Sequence, residues 1–223
     1  MSRAVCLCSG GLDSTIAATM AVRDGHELYM FHVNYGQKAE KKELEVVNLL
    51  AEELSARDVT VVDLDLFRDL SALTSPRAPI PMDEEVDLDA MSTPPTWVQC
   101  RNLVFVSLAA AFAEHLGAEK IYVGFNAEEA QSYPDNRPEF VERFNLLLEK
   151  SVASFSRPPR IEAPLLHLFK PAIVRLGMEV QAPLALSWSC YHQGEKHCGR
   201  CESCQHRRRG FREAGVVDPT EYL

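Results

Sequence analysis

Six residues, Ser9-Gly10-Gly11-Leu12-Asp13-Ser14, limit what this chain can be more than any other stretch. They follow an apolar run, Ala4-Val5-Cys6-Leu7-Cys8, and lead into a small-residue helical pattern from Thr15 to Val22. A short buried strand that breaks into glycines and then opens a helix turns backbone N–H groups, and the positive helix end, toward one spot. That spot suits an anion. Gly10 and Gly11 let a ligand approach the main chain, and the hydroxyls of Ser9 and Ser14 add donors for phosphate oxygens. Asp13 is the exception, because a carboxylate beside an anion site repels it; helix capping and Mg²⁺ binding are the two roles open to it. The spacing matches neither G-x-x-x-x-G-K-[ST] nor G-x-G-x-x-G.

The chain has 223 residues, which suits one α/β domain with a minor appendage. A net charge of −9 argues against a basic nucleic-acid footprint and favours a small-molecule substrate. There is no apolar leader and no long apolar run, so neither secretion nor membrane insertion is supported, and a cytoplasmic location is expected. In that compartment, cysteines read as metal ligands, reactive thiols or core fillers rather than disulfides.

Strand, turn and helix then repeat. Glu27–Val33 reads as a second strand followed by Asn34-Tyr35-Gly36-Gln37. Leu44, Val47, Leu50, Ala51 and Leu54 recur at helical spacing over Lys38–Leu54, and Val59–Leu64 is a third strand. Such alternation predicts a doubly wound, mostly parallel sheet with helices on both faces and ligands beyond the strands' C-terminal ends. Residues 65–96 lose periodicity around five prolines and an acidic run, as a functional lid or a mobile excursion does. Arg101 and Asn102 open a buried helix over Leu103–Leu116; an Arg there either pairs with the acidic loop or helps hold an anion. Lys120–Gly124 is a fourth strand, with a polar loop from Phe125 to Arg137 at its end. A helix runs from Pro138 to about Ser154, Ile161–Ala163 forms a short strand, and Pro171–Met178 is a further helix. Lys170, just before that helix, is read as a cation that neutralises a pyrophosphate leaving group rather than as a surface charge.

Cys190, Cys198, Cys201 and Cys204 form C-x₇-C-x₂-C-x₂-C, the spacing of a closed structural four-thiolate zinc site; an iron–sulfur cluster is the other group with such a cysteine count. His192, His197 and His206 are expected to face solvent or to support the ligands. Cys6 and Cys8 read as core, and Cys100 has no assigned role. Arg207-Arg208-Arg209 is expected as a solvated helix face or a subunit contact. The expected division is 1–187 for the main domain and 188–223 for a zinc-binding segment with a C-terminal helix.

The loop Ser9–Ser14 after an N-terminal strand resembles the signature of the PP-loop ATP pyrophosphatases. With Asn34–Gln37, Arg101-Asn102, Tyr133-Pro134-Asp135, Arg137-Pro138-Glu139-Phe140, Trp188-Ser189-Cys190-Tyr191 and the cysteine segment Cys198–Cys204, the chain resembles the 7-cyano-7-deazaguanine synthases along nearly its whole length. The resemblance implies an adenine nucleotide alpha hydrolase-like fold and an ATP-dependent ligase. It would adenylate 7-carboxy-7-deazaguanine, displace AMP with ammonia, and adenylate the amide again to reach the nitrile. It implies Cys8, Ser9, Gly10, Gly11, Leu12, Asp13, Ser14, Thr15 and Asn34 about ATP, and Arg101, Asn102, Asn126, Tyr133, Asp135 and Arg137 about the deazapurine. Asp13, Ser14, Lys170 and Arg101 are the implied catalytic set, with ATP, Mg²⁺ and Zn²⁺ as cofactors. A homodimer acting on the small deazaguanine and ammonia, with no direct nucleic acid, is the expected assembly.

The chain departs from the family's usual pattern at Glu129, Gln131, Ser132, Asn136, Gln99 and Cys100, all near the presumed deazapurine pocket. Two other readings follow: an enzyme that stops at the amide or passes the same adenylate to another amine, such as a protein N-terminus, and a zinc-ribbon-like nucleic-acid module. The acidic balance and the intact glycine loop speak against the latter.

Overall fold

A computed structural model describes residues 1–153 and 158–223. Five parallel strands, β1 (Arg3–Leu7), β2 (Glu27–Asn34), β3 (Asp58–Asp63), β4 (Lys120–Tyr122) and β5 (Arg160–Glu162), form one sheet in the order β3-β2-β1-β4-β5. The chain winds outward from β1 to β3 and then crosses back to lay β4 on the other side of β1. This reversal opens a crevice beyond the C-terminal ends of β1 and β4, the standard ligand position in such sheets. The expected doubly wound α/β architecture is therefore the observed one.

Six helices accompany the strands: α1 (Leu12–Arg23), α2 (Glu40–Glu53), α3 (Arg101–Leu116), α4 (Pro138–Ser151), α5 (Lys170–Glu179) and α6 (Glu202–Ala214). The expected end of α4 at Ser154 lies outside the described residues. No helix among the described residues is long and apolar enough to cross a membrane. The small side chains of α1 (Ala17, Ala18 and Ala21) are fully buried and let it lie close on β1 and β2. Helix α3 is not buried all round, because Leu103, Ser107 and Ala111 are exposed at four-residue spacing along one edge. A second apolar cluster joins Ile16 of α1 to Ile173 and Val174 of α5 and Phe211 of α6.

Residues 65–96 carry two single 3-10 turns, Asp65–Phe67 and Asp83–Glu85. Phe67, Leu73 and Ile80 anchor the segment in the main core. Its far end is stitched to the C-terminal segment by a bridge from Met82 to Cys201 and by ion pairs of Asp83 with Arg200 and of Asp89 with Arg209.

The triple arginine of α6 differs from its expected role. Arg207 is 1% exposed, one of the largest fully buried side chains in the protein. Three residues after Cys204 and four before Phe211, both buried, it shares their inward face of the helix. Its Nε donates to both carboxylate oxygens of Asp218 at 3.1 and 3.2 Å, Nη1 to Ser187 Oγ at 2.7 Å and Nη2 to the Leu184 carbonyl at 3.2 Å. Arg209 pairs with Glu128 and Asp89, and Arg208 lies over the Tyr222 ring. Removing one partner of a buried ion pair leaves the other uncompensated, so Arg207→Ala is expected to cost about 3–5 kcal/mol. A urea midpoint shifted down at constant slope will show it; an unchanged midpoint refutes the structural role.

Candidate active site

The loop between β1 and α1 is wrapped around its own hydroxyls. Ser14 Oγ donates to the Gly11 carbonyl at 3.2 Å, lies 3.2 Å from Ser9 Oγ, and accepts the Ser9 amide at 3.3 Å. Gly10 has φ +77°, and a Cβ there would sit 3.0 Å from Val46 Cγ1 of α2, so conformation and space both demand glycine. Helix α1 starts at its N-cap Gly11 with no side-chain cap. Its first-turn amides, which have no acceptor within the helix, are left for a ligand.

Asp13 does not cap the helix. Its Oδ2 accepts from Lys170 Nζ at 2.5 Å and from Asn126 Nδ2 at 3.4 Å, while Oδ1 is buried with no partner among the described residues. Burial pushes the Asp13 carboxyl up, and the Lys170 ammonium opposes it. Burial would lower the Lys170 pKa, but Asp13 and Glu129 outweigh it and hold the ammonium charged. Lys170 is thus a buried cation at the start of α5, 3.6 Å from Glu129 Oε1. Its amide donates to Glu128 Oε2 at 3.0 Å, and Glu128 Oε1 in turn takes His206 Nδ1 and Arg209 Nη2 of α6 at 2.6 and 2.7 Å. Burial works against ionisation of Glu128, yet these donors bring its pKa down to about 2.

These groups open on a crevice of about 460 Å³, the size of a small-ligand site. Cys8, Ser9, Gly11, Leu12, Asp13, Ser14, Lys170, Arg101, Asn102 and Tyr133 all lie on its wall. Among the described residues the wall does not include Gly10, Thr15, Asn34, Asn126, Asp135 or Arg137. Thr15, Asn34, Asn126 and Asp135 instead hold residues that line it. Thr15 Oγ1 bonds the Gly11 carbonyl at 2.8 Å, and Asp135 accepts from the Asn102 amide and Nδ2, both at 3.2 Å. Arg137 is exposed and its Nε donates to the Ala130 carbonyl at 3.0 Å. Asn34 bonds Asp63 and His32.

Arg101 enters the crevice from a sharp turn in which Cys100, at φ +55°, precedes the helix. Nη1 donates to Tyr35 Oη at 3.0 Å, and no carboxylate pairs with the guanidinium among the described residues. Burial alone would lower its pKa; the surrounding polar groups keep it raised and the charge permanent. Beside it, Trp97 and Tyr133 stack with centroids 5.0 Å apart and planes 16° from parallel. Such a pair offers a flat surface to a planar heterocycle. Nothing in the sequence singles out Trp97, whereas Trp188 belongs to the motif Trp188–Tyr191, and its amide donates to the Gly10 carbonyl at 2.8 Å.

The four C-terminal cysteines come together, their sulfurs all within 4.8 Å of one another. Thiolates about 2.3 Å from a tetrahedral ion stand about 3.8 Å apart, and Cys198 Sγ to Cys204 Sγ is 3.9 Å. Backbone amides of His192 and Cys198 point at Cys190 Sγ, and those of Arg200 and Cys201 at Cys198 Sγ, at 3.3–3.4 Å. The donor set fits a metal ion without further ligands. Of the histidines, His197 is buried and neutral, its pKa brought down to about 4 by burial and by Arg207; its Nε2 accepts the Ser189 amide at 2.9 Å.

The family model described as "Queuosine biosynthesis protein QueC" matches residues 3–215. A 7-cyano-7-deazaguanine synthase of Methanothrix thermoacetophila is 65% identical over 222 residues, covering 100% of this chain and 99% of that protein. Proteins of the same name are 41% identical in Methanococcus maripaludis (99% of each chain) and 44% in Acidobacterium capsulatum (99% of this chain and 96% of that one). Among solved structures, a 4-thiouridine synthetase–RNA complex with bound ATP matches 96% of this chain and 50% of that one, with a TM-score of 0.50 at 18% identity, and so shares the fold.

Proposed function

The chain belongs to the QueC family of queuosine biosynthesis, and from this premise we propose that it converts 7-carboxy-7-deazaguanine, ammonia and ATP to 7-cyano-7-deazaguanine, AMP and pyrophosphate in two successive activations. The observation that carries the reading is the convergence in one crevice of the Ser9–Ser14 loop, the Asp13–Lys170 pair, the unpaired Arg101 and the Trp97–Tyr133 stack. The loop amides and Lys170 receive the phosphates and stabilise the departing pyrophosphate. Mg²⁺, when bound, adds charge neutralisation there, and the unpartnered Oδ1 of Asp13 is the atom to hold it. Arg101 grips the substrate carboxylate through a charge-assisted pair. The neutral amide of the second turn loses that grip and is kept by aromatic contact and base-edge hydrogen bonds. Zn²⁺ is the ion assigned to the four cysteines, in a structural role.

Mass spectrometry of products from the acid and ATP, with and without ammonium, tests the reading. Two AMP per nitrile are expected, and the synthetic amide with ATP should give nitrile and one AMP. ADP and phosphate as products would overturn the loop assignment. An inert amide would overturn the second turn and favour transfer of the first adenylate to another amine.

A further inference from the structure

On the proposed function, the substrate nitrogen has to shed protons that no residue described so far takes. When ammonia attacks the acyl adenylate, a C–N bond forms, the C–O bond to AMP breaks and one N–H proton must leave. In the second turn the amide oxygen departs on AMP and the nitrogen gives up both of its protons as the triple bond forms. Arg101 and Lys170 are cations, and Asp13 is occupied by Lys170 and Asn126. Of the other acidic groups on the wall, Glu128 and Glu129 are ion-paired, Glu202 accepts from Thr96 and Tyr191, and Glu85 and Asp87 stand on the exposed acidic loop.

Glu43 is different. It sits in the first turn of α2, three and four residues before the buried Val46 and Val47, so helical periodicity turns it inward with them. Its carbonyl is 3.2 Å from the Cβ position of Gly10, which sets the residue against the phosphate loop. Its side chain lines the crevice, with Oε2 receiving Gln37 Nε2 at 2.9 Å, and Gln37 is itself fixed by the Tyr35 amide at 2.7 Å. The groups that face it are Arg101 from α3, Glu40 from its own helix, Tyr35 and Gln37 from the turn after β2, and Cys8 after β1. Among the described residues it makes no ion pair. Glu43 therefore stands between the loop that would hold the α-phosphate and the arginine that would hold the substrate carboxylate.

We propose that Glu43 is a catalytic residue of this site, its carboxylate taking the proton that leaves the substrate nitrogen in amide formation and again as the C–O bond to AMP breaks in nitrile formation. The inference rests on the function proposed above. Balance is kept in each turn. In amide formation the ammonia lone pair makes the C–N bond and the N–H pair returns to nitrogen as its lone pair. In nitrile formation the nitrogen lone pair and one N–H pair become the two new C–N bonds, and the other N–H pair stays on nitrogen. AMP leaves with the oxygen each time, and Glu43 releases its proton to solvent before the next cycle. The remaining amide proton of the second turn passes to solvent. Burial pushes the Glu43 carboxyl up to about 7, opposed by Gln37 and Arg101, which suits a group that accepts and returns a proton near neutrality.

Nitrile formation from the synthetic amide isolates the step, because no ammonium titrates in it. With wild-type protein the rate should rise with pH through about 7 as the carboxylate forms. Glu43→Gln, which still accepts from Gln37, should lose this acid limb and about 100-fold or more in rate. Acid-dependent exchange of labelled pyrophosphate into ATP, which moves no proton on nitrogen, should stay within about threefold. Glu43→Ala should regain nitrile formation when formate is added. A Gln variant that makes nitrile at the wild-type rate, or loses exchange as severely as nitrile, overturns the assignment. Wild-type protein that makes no nitrile overturns the two-turn function instead; Glu43 is then judged on amide formation from acid and ammonium, where the same loss of about 100-fold is required.

Discussion

Gly124→Ala is expected to lose at least about 100-fold in AMP formation, although alanine adds only one methyl group to the crevice wall. Gly124 follows β4 and does not have positive φ, so backbone conformation does not require glycine. Space does. A Cβ there would lie 2.9 Å from the Ser14 amide nitrogen, 3.0 Å from the Asp13 carbonyl carbon and 3.1 Å from Asp13 Cβ. Two of these three atoms are main chain, so relief comes only if the start of α1 moves away from β4. That shift carries Asp13 from Lys170 and Asn126 and re-aims the amides that would hold phosphate. The overpacking itself should cost about 1–3 kcal/mol in unfolding free energy.

Gly11→Ala gives the contrast: its Cβ would meet Ser9 Oγ at 3.3 Å and the Trp188 carbonyl at 3.8 Å, which the protein can absorb, and its φ is −73°. Gly11 is on the crevice wall as Gly124 is, so a side chain there also takes room from the ligand, but without the main-chain clash it leaves stability nearly unchanged. Parallel AMP assays and urea titrations of the two variants separate these effects. A Gly124→Ala protein with wild-type turnover would show that the contact between β4 and the loop does not set the site.

The parts of this site legible in the sequence are those whose chemistry is contiguous: the glycine loop, the Arg101-Asn102 helix start and the cysteine cluster. Glu43 is not, because it lies on a charged segment whose apolar positions at helical spacing are Leu44, Val47, Leu50, Ala51 and Leu54. The structure buries Val47, Leu50 and Ala51 as expected but adds Val46 while leaving Leu44 and Leu54 only partly buried, since α2 packs against Gly10 as well as β2. That rotation of the buried face brings Glu43 to the crevice, and only the tertiary contact at Gly10 specifies it. Arg207 escaped for a related reason. Three arginines in a row read as one exposed block, whereas helical periodicity sends each in a different direction, and the partner of the inward one, Asp218, lies beyond the end of α6. The Asp135–Asn102 pairing joins segments 33 residues apart, so its supporting role has no local signature.

Loss of the metal is expected to reach the nucleotide end of the crevice. Cys201→Ser removes one of four ligands in a fully buried position, and metal-binding energy in such sites is folding energy. Zinc content should fall from one per chain toward zero, with the melting temperature lower by about 10 °C or more. The site is also the base from which α6 grows: Cys201 is its N-cap and Cys204 lies in its first turn. His206 and Arg209, on the next turns, grip Glu128, and Glu128 holds the Lys170 amide. The bridge from Cys201 to Met82 and the Asp83–Arg200 pair tie the same ligands to the acidic loop on the opposite wall. A frayed α6 therefore releases Lys170 from one side and the loop from the other. AMP formation, assayed well below the variant's melting temperature, should fall along with metal content. A variant with full zinc, or one stripped of metal yet unchanged in melting temperature, would overturn the structural role. Stoichiometric iron and sulfide in place of zinc would assign the four thiolates to a cluster. Full activity in a destabilised, metal-free variant would break only the link from α6 through Glu128 to Lys170.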